Sequence, residues 1–115
     1  MASLNNLTIE IPEAKIFRYA LNEQHPSGKH KAFVFESVLG FNSSNGDKLI
    51  EKIKAAVLQN VDRLTEKGCT PDGSLRYELI LEIEGENGRV AKVLTAWQKI
   101  GSTLRLVTTH VCKNR

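Results

Sequence analysis

Apolar residues recur at helical spacing through the first half of the chain and at every second position through the last third. Ile9 to Ile11 reads as a short extended entry. Pro12 and Glu13 suit the first turn of a helix, and Ala14, Phe17, Ala20 and Leu21 give it a stripe, so a helix is predicted from Pro12 to Leu21. Asn22 to Gly28 interrupts it. A second helix is predicted from Lys29 to Leu39, with Ala32, Phe35, Val38 and Leu39 facing inward and Gly40 as its stop. Ser43, Ser44 and Asn45 offer caps for a third. The stripe Leu49, Ile50, Ile53, Ala56, Val57, Val61 and Leu64 carries that helix from Asp47 to Leu64.

Gly68 to Ser74 has loop composition. Beyond it Leu75, Tyr77, Leu79, Leu81 and Ile83 alternate with Arg76, Glu78, Ile80, Glu82 and Glu84, the mark of a strand with one buried face. Asn87-Gly88 suits a two-residue hairpin turn. A strand from Val90 to Trp97, a turn at Ile100-Gly101-Ser102 and a strand from Leu104 to Val111 complete the chain. The predicted architecture is α+β: three N-terminal helices packed on a C-terminal antiparallel meander of three to four strands. Residues 1–115 are expected to form a single domain, with its core between about residues 9 and 111.

Counting outward from Asn87 and Gly88 sets Leu81 opposite Leu94 and Leu79 opposite Ala96 on an apolar face. The other face then pairs Ile80 with Thr95, Glu78 with Trp97 and Glu82 with Val93, with Arg76 beside Trp97. Such a surface can stack a base while holding a phosphate. It can equally be a cross-strand pair shielded by the stem of Arg76. The last strand has two competing phases, Leu104/Leu106 or Val107/Val111 on the core side, so either Thr108 or Thr109 joins the mixed face.

Charge adds little: sixteen Lys and Arg against thirteen Asp and Glu permit nucleic-acid binding without demanding it. No apolar run approaches the ~18 residues of a membrane span, and the first residues lack a secretory signal, so a cytoplasmic protein without membrane contact is expected. Cys69 and Cys112 fit a reduced pair.

One loop gathers groups able to move protons or hold a phosphate. His25, Lys29, His30 and Lys31 surround Pro26-Ser27-Gly28, with Lys15 upstream. Metal-free RNA cleavage needs a base for the ribose 2′-hydroxyl, an acid for the leaving 5′-oxygen, and cations for the phosphorane. Imidazoles suit the first two tasks, lysine and arginine the third. His25, His30, Lys31 and Arg76 supply that set if the loop folds over the sheet, and the amides opening the second helix favour an anion. The plainer alternatives are a turn-holding His25, solvated His30 and Lys31, and an exposed His110. No metal-spaced cluster, glycine-rich phosphate loop or Cys-His pair occurs, and no cofactor is expected.

Ile11-Pro12, Lys15, Tyr19-Ala20-Leu21-Asn22, His25-Pro26, Gly28, Lys31-Ala32, Phe35, Leu39-Gly40, Arg76-Tyr77, Asn87-Gly88, Thr95, Trp97 and Leu106-Val107-Thr108 resemble a bacterial family of unknown function. That family occurs as stand-alone small proteins and at the C-termini of polymorphic and contact-dependent toxins. It is similar in its order of elements to the barnase/EndoU/colicin/RelE nuclease superfold. The resemblance implies a metal-independent endoribonuclease-like toxin domain acting on RNA (tRNA among the candidates), controlled by a small antitoxin or immunity protein. By matching position it points to Lys15, His25, Lys31, Arg76, Thr95 and Thr108. In that reading His25 is base or acid, Lys31 and Arg76 hold the scissile phosphate, and Thr95 and Thr108 donate hydrogen bonds. Lys15, His30 and Trp97 contact the substrate. The competing expectation is a non-catalytic protein-binding module of a bacterial defence or toxin-immunity locus. The protein is expected as a monomer or a dimer, the latter joined through the mixed sheet face or the edge of the last strand.

Overall fold

The computed structural model describes residues 7–22, 24–25 and 29–112, and of Lys29 the backbone alone. Strand β1, Thr8–Glu10, buries only Ile9. Pro12 holds an extended entry and helix α1 begins after it as a single turn, Glu13–Lys15. The turn widens into a π-helical segment, Ile16–Ala20, which buries Ile16 and Ala20. Helix α2, Lys29–Val34, widens in the same way into Phe35–Leu39, and Gly40 ends it in the left-handed region at φ 76°. Helix α3, Gly46–Gln59, buries Leu49, Ile53 and Val57.

One expected boundary moves and one expected cap does not form. Helix α3 stops at Asn60 rather than Leu64, because the Asn60 side chain donates to the Ala56 carbonyl at 2.8 Å and a 3₁₀ turn, Val61–Arg63, follows. Asn45 precedes α3, but its side chain reaches backward. It donates to the Gly40 carbonyl at 3.0 Å and accepts from the Asn42 amide at 2.8 Å, tying the end of α2 to the start of α3.

Strands β2 (Thr65–Cys69), β3 (Leu75–Glu84), β4 (Val90–Ile100) and β5 (Thr103–Val111) complete a sheet of order β1-β5-β4-β3-β2. The fold is α+β, as expected. The antiparallel meander of three to four strands is corrected to a five-stranded mixed sheet, since β1 runs parallel to β5 with Ile9 opposite Leu104. The helices are also not all N-terminal to the sheet, because β1 precedes them. Strand β2 replaces part of the expected loop. It is exposed throughout and kinked by an irregularity between Glu66 and Gly68, a form that discourages further pairing at an edge.

The β3–β4 hairpin corrects the predicted register by one residue. Gly85 donates to the Arg89 carbonyl at 2.7 Å and Gly88 to the Gly85 carbonyl at 3.1 Å, while Gly88 takes φ 84° and Asn87 stays outside the left-handed region. The loop therefore holds Glu86, Asn87 and Gly88, not Asn87 and Gly88 alone. One added residue slides every pair: Tyr77 faces Trp97, Leu79 faces Thr95, and Leu81 faces Val93. Because side chains alternate, the slip turns Val93, Thr95 and Trp97 inward.

On β5 both competing phases occur. Val107 has no partner on β4, and this extra residue resets the alternation. Leu104 and Leu106 are buried before it, Thr109 and Val111 after it. The inward face of the sheet joins Phe35, Leu39, Phe41, Leu49, Ile53 and Val57 in one hydrophobic cluster.

The hairpin tip is clasped to the end of α2. Glu86 N–H donates to the Leu39 carbonyl at 2.8 Å, and the Asn87 side chain to the Val38 carbonyl at 3.0 Å. A Cβ on Gly85 would collide with the Leu39 carbonyl oxygen. The Glu86 carboxylate meets Lys48 at 3.2 Å and Lys52 at 3.8 Å from α3. Among the described residues, no helix is long and apolar enough to cross a membrane.

Candidate functional site

The predicted site residues divide into three groups. The first is a cluster built from α1, the segment after it, α2 and β5. Tyr19 lies one residue before the end of the π-helical part of α1, and its ring meets His25 edge-on, with centroids 4.7 Å apart and planes at 74°. The His25 backbone is fixed by donation to the Asn22 carbonyl at 3.2 Å. Lys31, in the opening turn of α2, lies over the Tyr19 ring with its ammonium 4.6 Å from the centroid. That ammonium donates to Thr108 Oγ1 at 2.8 Å and reaches the Tyr19 hydroxyl at 3.5 Å.

A cation early in a helix opposes the helix dipole. Here the ring and the Thr108 hydroxyl compensate it. Among the described residues no carboxylate lies within ion-pair distance of Lys31. The charge is oriented but not neutralised, which is what an anion-binding cation requires. The bulge at Val107 sets Thr108 opposite Ala96 and leaves it half-exposed in reach of Lys31.

The second group is removed from solvent. Trp97 is fully buried, and its Nε1–H donates to Thr95 Oγ1 at 2.7 Å. Thr95 is also fully buried, and its hydroxyl donates to the Leu79 carbonyl at 2.7 Å. These two residues form a chain of satisfied hydrogen bonds inside the core. The structure does not bring them to the cluster, and the stacking floor expected around Trp97 does not form. The cause is the one-residue shift of the hairpin.

The third group stands apart on the surface. Arg76 points away from the buried Tyr77 and belongs to the cross-strand row Arg76, Gln98, Arg105, whereas Thr108 belongs to the row Glu78, Ala96, Thr108. Two strand spacings separate Arg76 from β5, about 10 Å. Lys15 is half-exposed on α1. The expected turn Pro26-Ser27-Gly28 and the side chain of Lys29 lie outside the described residues.

An open groove of about 970 Å³ begins at Lys31 and His30. It lies between α2 and the adjoining ends of β4 and β5. Cys112 N–H donates to the Lys92 carbonyl at 2.8 Å, and beyond that bond no described strand flanks Val90 and Ala91 on the β5 side. Val34, Val38 and Leu94 supply apolar walls, and Arg89, Lys92 and His110 add positive or titratable groups. None of the described lining residues is acidic, and none is Phe, Tyr or Trp.

Tyr19, Arg89, Lys92 and His110 were not among the predicted site residues. Tyr19 carried one usable signal, its place at a helix end just before His25. Asp72 is held below the usual carboxylate range by the Thr70 hydroxyl and then the Ser74 amide, but it sits in the exposed β2–β3 turn outside the cluster. Among the described residues no group of three or more His, Cys, Asp or Glu side chains is placed to hold a metal.

Neither the curated proteins nor the solved structures include a match to this chain. A family model described as "Domain of unknown function (DUF6883)" matches residues 4–113. That match covers nearly the whole sequence, including the cluster, the groove and every strand, and the chain belongs to this family.

Proposed function

We propose that the domain cleaves RNA by transesterification, using imidazole and ammonium groups as its chemical equipment. One observation carries the reading: the Lys31 ammonium is held by Thr108 at 2.8 Å and by the Tyr19 ring, without a described carboxylate, and His25 packs against the same ring. In this scheme His25 takes the proton from a ribose 2′-hydroxyl as the 2′-oxygen attacks phosphorus. The P–O5′ bond breaks, and His30, at the adjoining groove, returns a proton to the 5′-oxygen. The products are a 2′,3′-cyclic phosphate and a 5′-hydroxyl. Lys31 stabilises the phosphorane, Thr108 fixes its rotamer, and Tyr19 seats both Lys31 and His25. Arg76, about 10 Å from β5 by strand spacing, suits a flanking phosphate rather than the scissile one. Thr95 and Trp97 act through packing.

The test uses the whole chain with RNA in the presence of a chelator, followed by analysis of the new ends. Cyclic phosphate termini are expected, with cleavage falling by about 10²–10³ in His25→Ala and in Lys31→Met, the scale of losing one general base or one charge-stabilising donor. RNA that stays intact at high protein concentration rules the reading out. A second reading, a binding module without catalysis, is supported by the separation of Arg76 and Thr95 from Lys31. In that case Lys31→Met weakens RNA or partner binding, and no cleavage appears with any variant.

A further inference from the structure

The chain carries the dipeptide Asn-Gly twice, at Asn45-Gly46 and at Asn87-Gly88. Asparagine is a thermolabile residue, most of all before glycine, where no side chain shields the next main-chain nitrogen. The two copies sit in different surroundings. Gly46 is buried against Phe17 and Leu21 at the start of α3, and Asn45 is half-buried. Asn87 and Gly88 are both exposed at the β3–β4 tip.

At the tip each party to the reaction is held. The Asn87 amide is gripped at both ends: Nδ2 donates to the Val38 carbonyl at 3.0 Å, and Oδ1 accepts the Arg89 N–H at 3.1 Å. The Gly88 N–H, which would supply the attacking nitrogen, is engaged with the Gly85 carbonyl at 3.1 Å. Gly40 closes one side, since a Cβ built there would stand 3.7 Å from Asn87 Cγ. Two of these holds, those from Val38 and Gly40, come from the end of α2 and exist only while the tip is clasped to it.

We propose that Asn87 is a deamidation site which the clasp keeps unreactive, and that the reaction, once it has occurred, prevents the clasp from closing again. When the tip parts from α2, the Gly88 nitrogen attacks Asn87 Cγ. Its proton passes through solvent to Nδ2, the Cγ–Nδ2 bond breaks, and ammonia leaves. The succinimide that remains is opened by water at either carbonyl, giving aspartate or isoaspartate. Water is the one co-reactant, and nothing is oxidised or reduced. A carboxylate has no hydrogen to donate, so the Val38 carbonyl then faces an anion in place of a donor. Isoaspartate also routes the main chain through the former side chain and lengthens the turn. The new charge adjoins Glu86, whose carboxylate already takes up Lys48 and Lys52. The proposal does not depend on the ribonuclease reading.

The test follows both dipeptides in the whole chain by digestion and mass spectrometry during incubation in mildly alkaline buffer, without RNA. In denaturant the two sites react at similar rates. In the folded chain Asn87 slows at least about tenfold, because it reacts only through local opening, and Asn45 slows further, because its surroundings must unfold more widely. Glu86→Gln removes the ion pairs to Lys48 and Lys52. Measured against its own denatured rate, it speeds Asn87 by up to about fivefold, the scale of a surface pair, and leaves Asn45 unchanged. Asn87→Asp, which stands for the aspartate product, speeds hydrogen exchange of the Glu86 amide, the donor to Leu39, by at least about tenfold. Three outcomes overturn the proposal. Asn87 reacting as fast in the folded chain as in denaturant removes the protection. Asn87 merely keeping pace with Asn45 removes the local opening. Unchanged Glu86 exchange in Asn87→Asp shows that the product closes the clasp as well as asparagine does.

Discussion

The β4–β5 pairing carries three threonines on two adjacent rungs, and two of them, Thr95 and Thr108, organise different neighbourhoods. Thr95 sits opposite Thr109 and Thr108 opposite Ala96. Around Thr95 every polar group is spoken for: the Trp97 indole donates to it, it donates to Leu79, and solvent reaches neither side chain. Around Thr108 the hydroxyl accepts from an ammonium that remains half-exposed and unpaired with any described carboxylate. The difference shows what separates a polar residue that specifies packing from one that can serve a ligand. A buried hydrogen-bond chain with donors and acceptors matched has no capacity left. A cation held by neutral oxygen and a ring keeps most of its charge for a visitor.

The contrast can be challenged by substitution, beginning where the loss is greatest. Trp97→Ala opens a large cavity in the core and leaves Thr95 without its donor. A loss of about 3–5 kcal/mol of stability is expected, read as a fall in the denaturation midpoint. A loss under about 1 kcal/mol, the range of ordinary surface changes, would mean that the indole is not packed as described. Next come the two threonines, tested as a pair. Thr95→Val leaves the Trp97 N–H buried and unpaired and should cost about 1–3 kcal/mol of stability. Thr108→Val should cost less than Thr95→Val in stability, yet reduce RNA cleavage by freeing Lys31 from its rotamer. If Thr95→Val spares stability and abolishes cleavage instead, the roles of the two rungs are reversed. The smallest effect is expected at Arg76. One exposed phosphate contact is worth about 1 kcal/mol, so Arg76→Ala should raise KM about fivefold at low salt with kcat unchanged. A collapse of kcat would place the guanidinium at the reacting phosphate.

Much of this arrangement was legible in the sequence where burial is local and periodic. The stripe of α3, the alternation of β3 and the stop at Gly40 all declare themselves because one face of each element is apolar. What escaped was set by non-local or single-residue geometry. Strand β2 is an exposed edge whose residues Thr65 to Cys69 show no apolar alternation to read. The parallel pairing of β1 joins residues almost a hundred positions apart, at Thr8 and Thr103, and nothing in Thr8-Ile9-Glu10 encodes its partner. The hairpin slip turned on whether Glu86 belongs to the strand or the loop, and that one choice moved Thr95 and Trp97 from a proposed surface to the core. Of the proposed site, His25, Lys31 and Thr108 were legible from the loop and the resemblance. The Tyr19 ring that joins the first two depends on how α1 and α2 meet, and the groove depends on how α2 meets β4 and β5.

The clasp between the β3–β4 tip and the end of α2 has a practical consequence. Hairpin tips are ordinarily where a chain accepts insertions most readily. At this tip a graft between Glu86 and Gly88 would pull on Leu39, Val38 and two lysines of α3 at once. The better place to attach a label or splice in a reporter is the turn of Pro71, Asp72 and Gly73, which is exposed and where a Cβ on Gly73 would meet nothing within 4 Å.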